Sequence, residues 1–86
     1  MKKVRFLNRF VKDYAKLPLN IQETADKQIE RLLNNPKHPS LNRKKMRDPR
    51  DIWEIRITRS YRATFQIQDD LYIMRRVGPH DILRNP

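Results

Sequence analysis

From Trp53 to Ile67 the chain alternates apolar and polar side chains with a period of two, interrupted only at Arg59-Ser60. Trp53, Ile55 and Ile57 fall on one side, with Glu54, Arg56 and Thr58 on the other. Past the break, Tyr61, Ala63, Phe65 and Ile67 resume the apolar side and leave Arg62, Thr64 and Gln66 opposite. Successive side chains of a strand point to opposite faces, so the pattern predicts two antiparallel strands with one face buried and one in water. The buried face needs a cover, and the rest of the chain has to supply it.

Helices upstream fit that need. Ile21, Ala25, Ile29 and Leu32/Leu33 recur at helical spacing, with Gln22, Glu23, Lys27, Glu30 and Arg31 elsewhere on the wheel. This helix should stop near Asn34-Asn35, because Pro36 disfavours helix in the residue before it. Phe10, Tyr14 and Leu17 form the stripe of an earlier helix, with Asn8 as its expected cap, and Pro18 ends one helix and opens the next. Lys2–Leu7 alternates as a first strand. Residues 41–50 are too charged to be buried; they predict a short edge strand around Lys44–Arg47 and a turn over Asp48–Asp51. Asp69-Asp70 turns the chain into a last strand, Leu71–Val77, whose core side is either Leu71, Ile73 and Val77 or Tyr72 and Met74. Gly78 ends it. The fold expected is α+β in the order β-α-α-β-β-β, a helix hairpin packed on one face of a mainly antiparallel four-stranded sheet, within a single domain spanning 1–86.

Charge and composition narrow the function. Twenty Lys and Arg face ten Asp and Glu, a formal +10 that favours a polyanionic partner. Nine basic residues lie from Lys37 to Arg62, against Asp48, Asp51 and Glu54. There is no cysteine, which excludes disulfides, a thiol nucleophile and Cys-based zinc sites. Arg5 and Arg9 interrupt any signal-peptide core, and no apolar run is long enough to span a membrane, so a cytoplasmic protein without membrane partners is expected. Two separated histidines make a poor metal site, and one glycine cannot build a phosphate-cradling loop, so neither metal nor cofactor is expected.

The polar side of the strands carries the candidate chemistry: Glu54, Arg56 and Arg62, flanked by Lys44, Lys45 and Arg47. Guanidinium groups stay charged and donate bidentately, which suits phosphate. The plainer reading is cross-strand ion pairing, for instance Glu54 with Arg62, worth about 0.2–1 kcal/mol. For the whole cluster, with few acids to neutralise it, anion binding is the better reading. His80 stands where the sheet ends, and histidine is the side chain most suited to proton transfer near neutrality.

The order of elements resembles the RelE/ParE superfamily of toxins from type II toxin–antitoxin pairs. It is carried by Leu17-Pro18 between two helices, Leu32-Leu-Asn-Asn-Pro36, Trp53-Glu-Ile-Arg-Ile57, Tyr61-Arg62 and Arg76-Val-Gly-Pro-His80. The resemblance spans essentially the whole chain and implies a ribosome-dependent mRNA endoribonuclease of the RelE/YafQ-like branch, held inactive by a cognate antitoxin. It also implies catalytic positions at Arg62, His80 and Arg76, with Lys44 and Lys45 in the region of functional lysines. Where many active members carry Tyr or Phe after the histidine, this chain has Leu83 and Arg84. In cleavage by attack of a 2′-OH on its own phosphate, arginines would stabilise the phosphorane and His80 would protonate the leaving oxygen. Glu54 is the only carboxylate on that face for a base. Two other functions stay open: a ParE-type poison of DNA gyrase, and a catalytically inactive module binding RNA or antitoxin.

Overall fold

In the computed structural model, which describes residues 2–86, the alternating segment forms the centre of the sheet. The chain builds β1 (Lys3–Phe6), α1 (Asn8–Ala15), α2 (Leu19–Asn34), β2 (Lys44–Lys45), β3 (Trp53–Arg56), β4 (Tyr61–Gln68) and β5 (Leu71–Pro79). The sheet order is β1-β5-β4-β3-β2. The α+β class and the helix hairpin are as expected, but the sheet has five strands rather than four and is mixed. The fifth strand is the charged edge segment: Lys44 pairs with Glu54 and Lys45 with Trp53, which makes β2 a member of the sheet. Its two exposed lysines also suit an edge that must not pair further. The parallel pair is β1 with β5, running from Lys3↔Leu71 to Phe6↔Met74, because the helix hairpin carries the chain across the sheet before the meander begins.

Local chemistry sets the helix limits. Leu7, not Asn8, occupies the cap position of α1 and offers no side-chain bond; Asn8 is already helical. Lys16 N–H donates to Asp13 O and Leu17 N–H to Tyr14 O, closing α1. Pro18 caps α2, its carbonyl accepting from Ile21 and Gln22. Phe10, Leu17, Ala25, Ile29 and Leu32 from the hairpin meet Ile55, Ala63, Phe65, Tyr72, Met74 and Val77 from the sheet. Phe65 and Tyr72 stack with centroids 5.6 Å apart. Each large side chain so buried stabilises by about 1.5–3 kcal/mol.

The last strand resolves its two readings by combining them. The pairing with β4 shifts between Thr64 and Phe65, so Arg75 bulges out and Tyr72, Met74 and Val77 all reach the core. β5 also runs on through Gly78 to Pro79. Beyond it, a 3-10 segment at His80–Arg84 folds back onto the sheet face opposite the helices. Ile82 lies so close over Gly78 that a Cβ there would stand 2.9 Å from its Cγ2. Thr64 Oγ1 donates to Pro86 O at 3.3 Å and is fully buried. The side of the meander expected to face water is therefore covered over β4 and β5, with Glu54 of β3 also largely enclosed, and it is exposed at Arg56 and at Lys44 of the β2 edge.

Candidate functional site

The register gathers the expected residues in two rows. Lys44, Glu54, Thr64 and Arg76 are successive cross-strand neighbours, as are Arg56, Arg62 and Gly78. Arg62 Nη1 donates to Thr58 O at 2.7 Å, Tyr61 O at 3.0 Å and Arg59 O at 3.2 Å, which fixes the guanidinium on the β3–β4 turn. Its Nε lies 3.9 Å from Glu54 Oε1, an ion pair that is long and only partly open to water. Nη2 has no hydrogen-bond partner among the described residues. His80 joins this end of the sheet through its N–H, which donates to Ser60 O at 3.0 Å, leaving the imidazole exposed. Arg56 is exposed beside Arg62.

The edge residues are looser. Lys44 and Lys45 are exposed on β2, and Lys45 Nζ meets Asp51 Oδ1 at 3.0 Å. Arg47 is exposed just beyond β2. Arg43 lies over the Trp53 ring, 5.0 Å from its centroid. Arg50 holds Asp48 through two side-chain bonds of 2.9 and 2.8 Å, and these bonds bring the Asp48 carboxyl down to about 2.

Arg76 sits differently. β1 covers β5 only as far as Met74, so the strand edge beyond is bare, and Asp13 of α1 fills it. Asp13 accepts from Arg76 Nε at 2.9 Å and Nη2 at 3.1 Å, and from Val77 N–H at 3.3 Å. Arg76 Nη1 also donates to Asn85 O at 3.2 Å, tying the C-terminal segment to the same point. The bond to Asp13 raises the Arg76 pKa. Sequence reasoning missed Arg75, the bulge residue, which donates to Pro86 O at 3.1 Å and Gln66 Oε1 at 2.9 Å. Burial and nearby Arg50 lower its pKa. No local sequence signal tells which of two adjacent arginines will bulge. Among the described residues no three His, Cys, Asp or Glu side chains gather as a metal site.

On the helix side an apolar groove of about 420 Å³ runs between β1 and the hairpin, lined by Val4, Phe6, Phe10, Val11, Ile29 and Leu33. Phe6 and Val11 are 43% and 54% exposed, enough to leave the groove uncovered. At its rim Tyr14 Oη donates to Asp26 Oδ1 at 2.8 Å, which raises the phenol pKa.

A helix hairpin over a mixed five-stranded sheet, with cations on the uncovered face, defines the class of small RelE/ParE-type toxins. The chain matches the family model described as "ParE toxin of type II toxin-antitoxin system, parDE" over residues 4–83, and it belongs to that family. Three solved structures share the fold. A copper-bound toxin variant from Helicobacter pylori is 25% identical, with a TM-score of 0.80, covering 96% of this chain and 99% of that one. The toxin of the intact Escherichia coli RelBE toxin–antitoxin complex is 25% identical, with a TM-score of 0.74, covering 92% and 96%. YafQ from Escherichia coli strain BL21(DE3) is 16% identical, with a TM-score of 0.77, covering 96% and 98%, and speaks to the fold alone. No curated protein sequence matches the chain. No helix among the described residues is long and apolar enough to cross a membrane.

Proposed function

We propose that this toxin is a ribosome-dependent mRNA endoribonuclease that blocks translation, with Arg62, His80 and Glu54 as its reacting groups. The observation that carries the reading is the convergence of a turn-anchored Arg62, with Nη2 free among the described residues, and an exposed His80 at one open sheet end. A guanidinium already oriented by the turn carbonyls needs little reorganisation to stabilise a phosphorane. His80 supplies the proton to the leaving 5′-oxygen, and Glu54, beside Arg62, is the carboxylate within reach of an attacking 2′-OH. Lys44, Lys45, Arg47 and Arg56 hold the mRNA backbone along the open edge. Arg76 is a positioning residue: through Asp13 and Asn85 O it holds the segment that presents His80.

The second partner is a cognate antitoxin. Its amphipathic segment seats apolar side chains in the groove at Phe6 and Val11, with acidic residues answering the net charge of +10. A Val11→Asp substitution should therefore weaken antitoxin capture while leaving the sheet face untouched. A gyrase-poisoning reading also has support, since the matching family model is described as ParE. Mapping mRNA 5′ ends on translating ribosomes, beside a gyrase cleavage-complex assay, decides between them. New mRNA ends with no stabilised DNA breaks are expected; DNA breaks without new mRNA ends would reverse the assignment.

A further inference from the structure

A second cationic groove lies on the flank of the molecule, between α2, the turn at Pro39–Leu41 and the end of β3. Thr24, Lys27, Gln28 and Arg31 recur at i, i+3, i+4 and i+7, so they form one face of α2. All four line a space of about 640 Å³, which Ser40 and Arg56 close from the opposite side. Three of the lining residues are cationic and none is acidic. Among the described residues Lys27, Arg31 and Arg56 take part in no ion pair. Like charges around a shared space repel one another, and an anion between them relieves the repulsion.

Gln28 keeps the groove in shape. Its side chain is buried, and its Nε2 donates to Arg56 O at 2.7 Å and Ser40 O at 3.2 Å, joining α2 to β3 and the turn. Gln28 Oε1 and Ser40 Oγ each accept from Arg31 Nη1 at 3.1 Å, so the guanidinium is oriented before any ligand arrives. A fork held in place loses less rotamer freedom on binding a phosphate than a free one does. The remaining wall sets Pro39 and Ile57 beside the polar side chains of Thr24, Ser40 and Asn42, and it has no aromatic platform on which a base could stack.

We infer that this groove is a second phosphate-binding site, holding the ribose–phosphate backbone of an RNA strand that continues from the Arg62 face. Arg56 joins the two regions: it is the cross-strand partner of Arg62 and it lines the groove. The inference rests on the RNA reading above but not on cleavage. An acidic protein segment is the competing occupant, and the test separates the two.

The test is fluorescence anisotropy of a short labelled single-stranded RNA titrated with the full chain across a series of NaCl concentrations. On a single strand, each phosphate that the protein no longer neutralises lowers the slope of log affinity against log salt by about 0.7. Lys27→Ala should therefore lower it by about 0.7 and Lys27→Ala/Arg31→Ala by about 1.4, with affinity falling most at low salt. Lys27 is exposed and forms no side-chain bond among the described residues, so the single variant folds as the parent does. An unchanged slope in both variants overturns the inference. So does a poly-glutamate peptide whose binding depends on these two residues while RNA binding does not. Tighter binding of duplex DNA with the same dependence overturns the RNA assignment. A chain that shows the slope changes yet cuts no ribosome-bound mRNA upholds the groove and removes the nuclease reading.

Discussion

On the β3–β4 half of the sheet's uncovered face, Arg62 is fastened to three backbone carbonyls and shares one long ion pair with Glu54. On the β5 half, Arg76 is closed into a bidentate pair with Asp13 and bonded to Asn85 O. Both side chains are about 15% exposed, so burial does not distinguish them. What does is the supply of carboxylate. β1 stops at Phe6, α1 starts at once, and Asp13 arrives where the edge of β5 would otherwise be bare. Under the nuclease proposal Arg76 holds the fold, and Arg62, whose Nη2 has no partner among the described residues, is the one that meets substrate. Reading a cationic cluster for function means finding which members the protein has already neutralised.

The sharpest way to break this contrast is at the open half. His80→Ala should lower mRNA cleavage on ribosomes by about 10²–10⁴-fold, the range for loss of a general acid, while Tm stays near that of the parent. A matched fall in Tm would place His80 with the structural half instead. Next in size is Arg76→Ala, expected to destabilise by about 3 kcal/mol in urea unfolding, because it leaves the largely buried Asp13 carboxylate with only the Val77 N–H and a long Arg9 pair of 3.8 Å. Adding Asp13→Asn should recover part of that stability; strict additivity would show that the pair is not coupled.

A smaller effect is expected where the C-terminal segment covers the sheet. Gly78→Ala should destabilise by about 1–3 kcal/mol, since its methyl group meets Ile82 Cγ2, and pairing it with Ile82→Ala should relieve the strain. Full stability in Gly78→Ala would mean the segment does not rest there in solution. Smallest is the exposed Asp48–Arg50 pair. Arg50→Ala should return the Asp48 carboxyl from about 2 toward its ordinary 3.8 in an NMR titration. A depressed carboxylate stabilises above its unfolded value, so this contribution is present above about 3.8 and is lost as the pH falls through about 2. An Asp48 titration that Arg50→Ala leaves unmoved would assign the depression to another group.

The parts of the molecule written in local patterns were legible. The alternation at Trp53–Ile67 names the strands and their faces, and the apolar stripe of α2 names the helix, because both periods are set by backbone geometry. The five-strand mixed order was not legible. Pairing of Lys3 with Leu71 joins distant parts of the chain, and no neighbouring residue encodes it. The same holds for Asp13 and Arg76, which meet across 63 positions. The bulge at Arg75 added Val77 to the Tyr72/Met74 face and left Leu71 and Ile73 out of the core, and the fold-back of the C-terminal segment buried Thr64 on a strand face that reads as polar. Lys27 and Arg31 read as ordinary solvated helix positions. Gln28 between them is buried only once the chain is folded, and nothing in the local sequence marks it.

The role of the open half rests most directly on the rate at which purified Arg62→Ala cuts mRNA on reconstituted ribosomes, measured beside its urea midpoint. Removing one preorganised donor should slow cleavage by about 10²–10³-fold with the fold retained. Cleavage at the parental rate by a folded Arg62→Ala protein would contradict it.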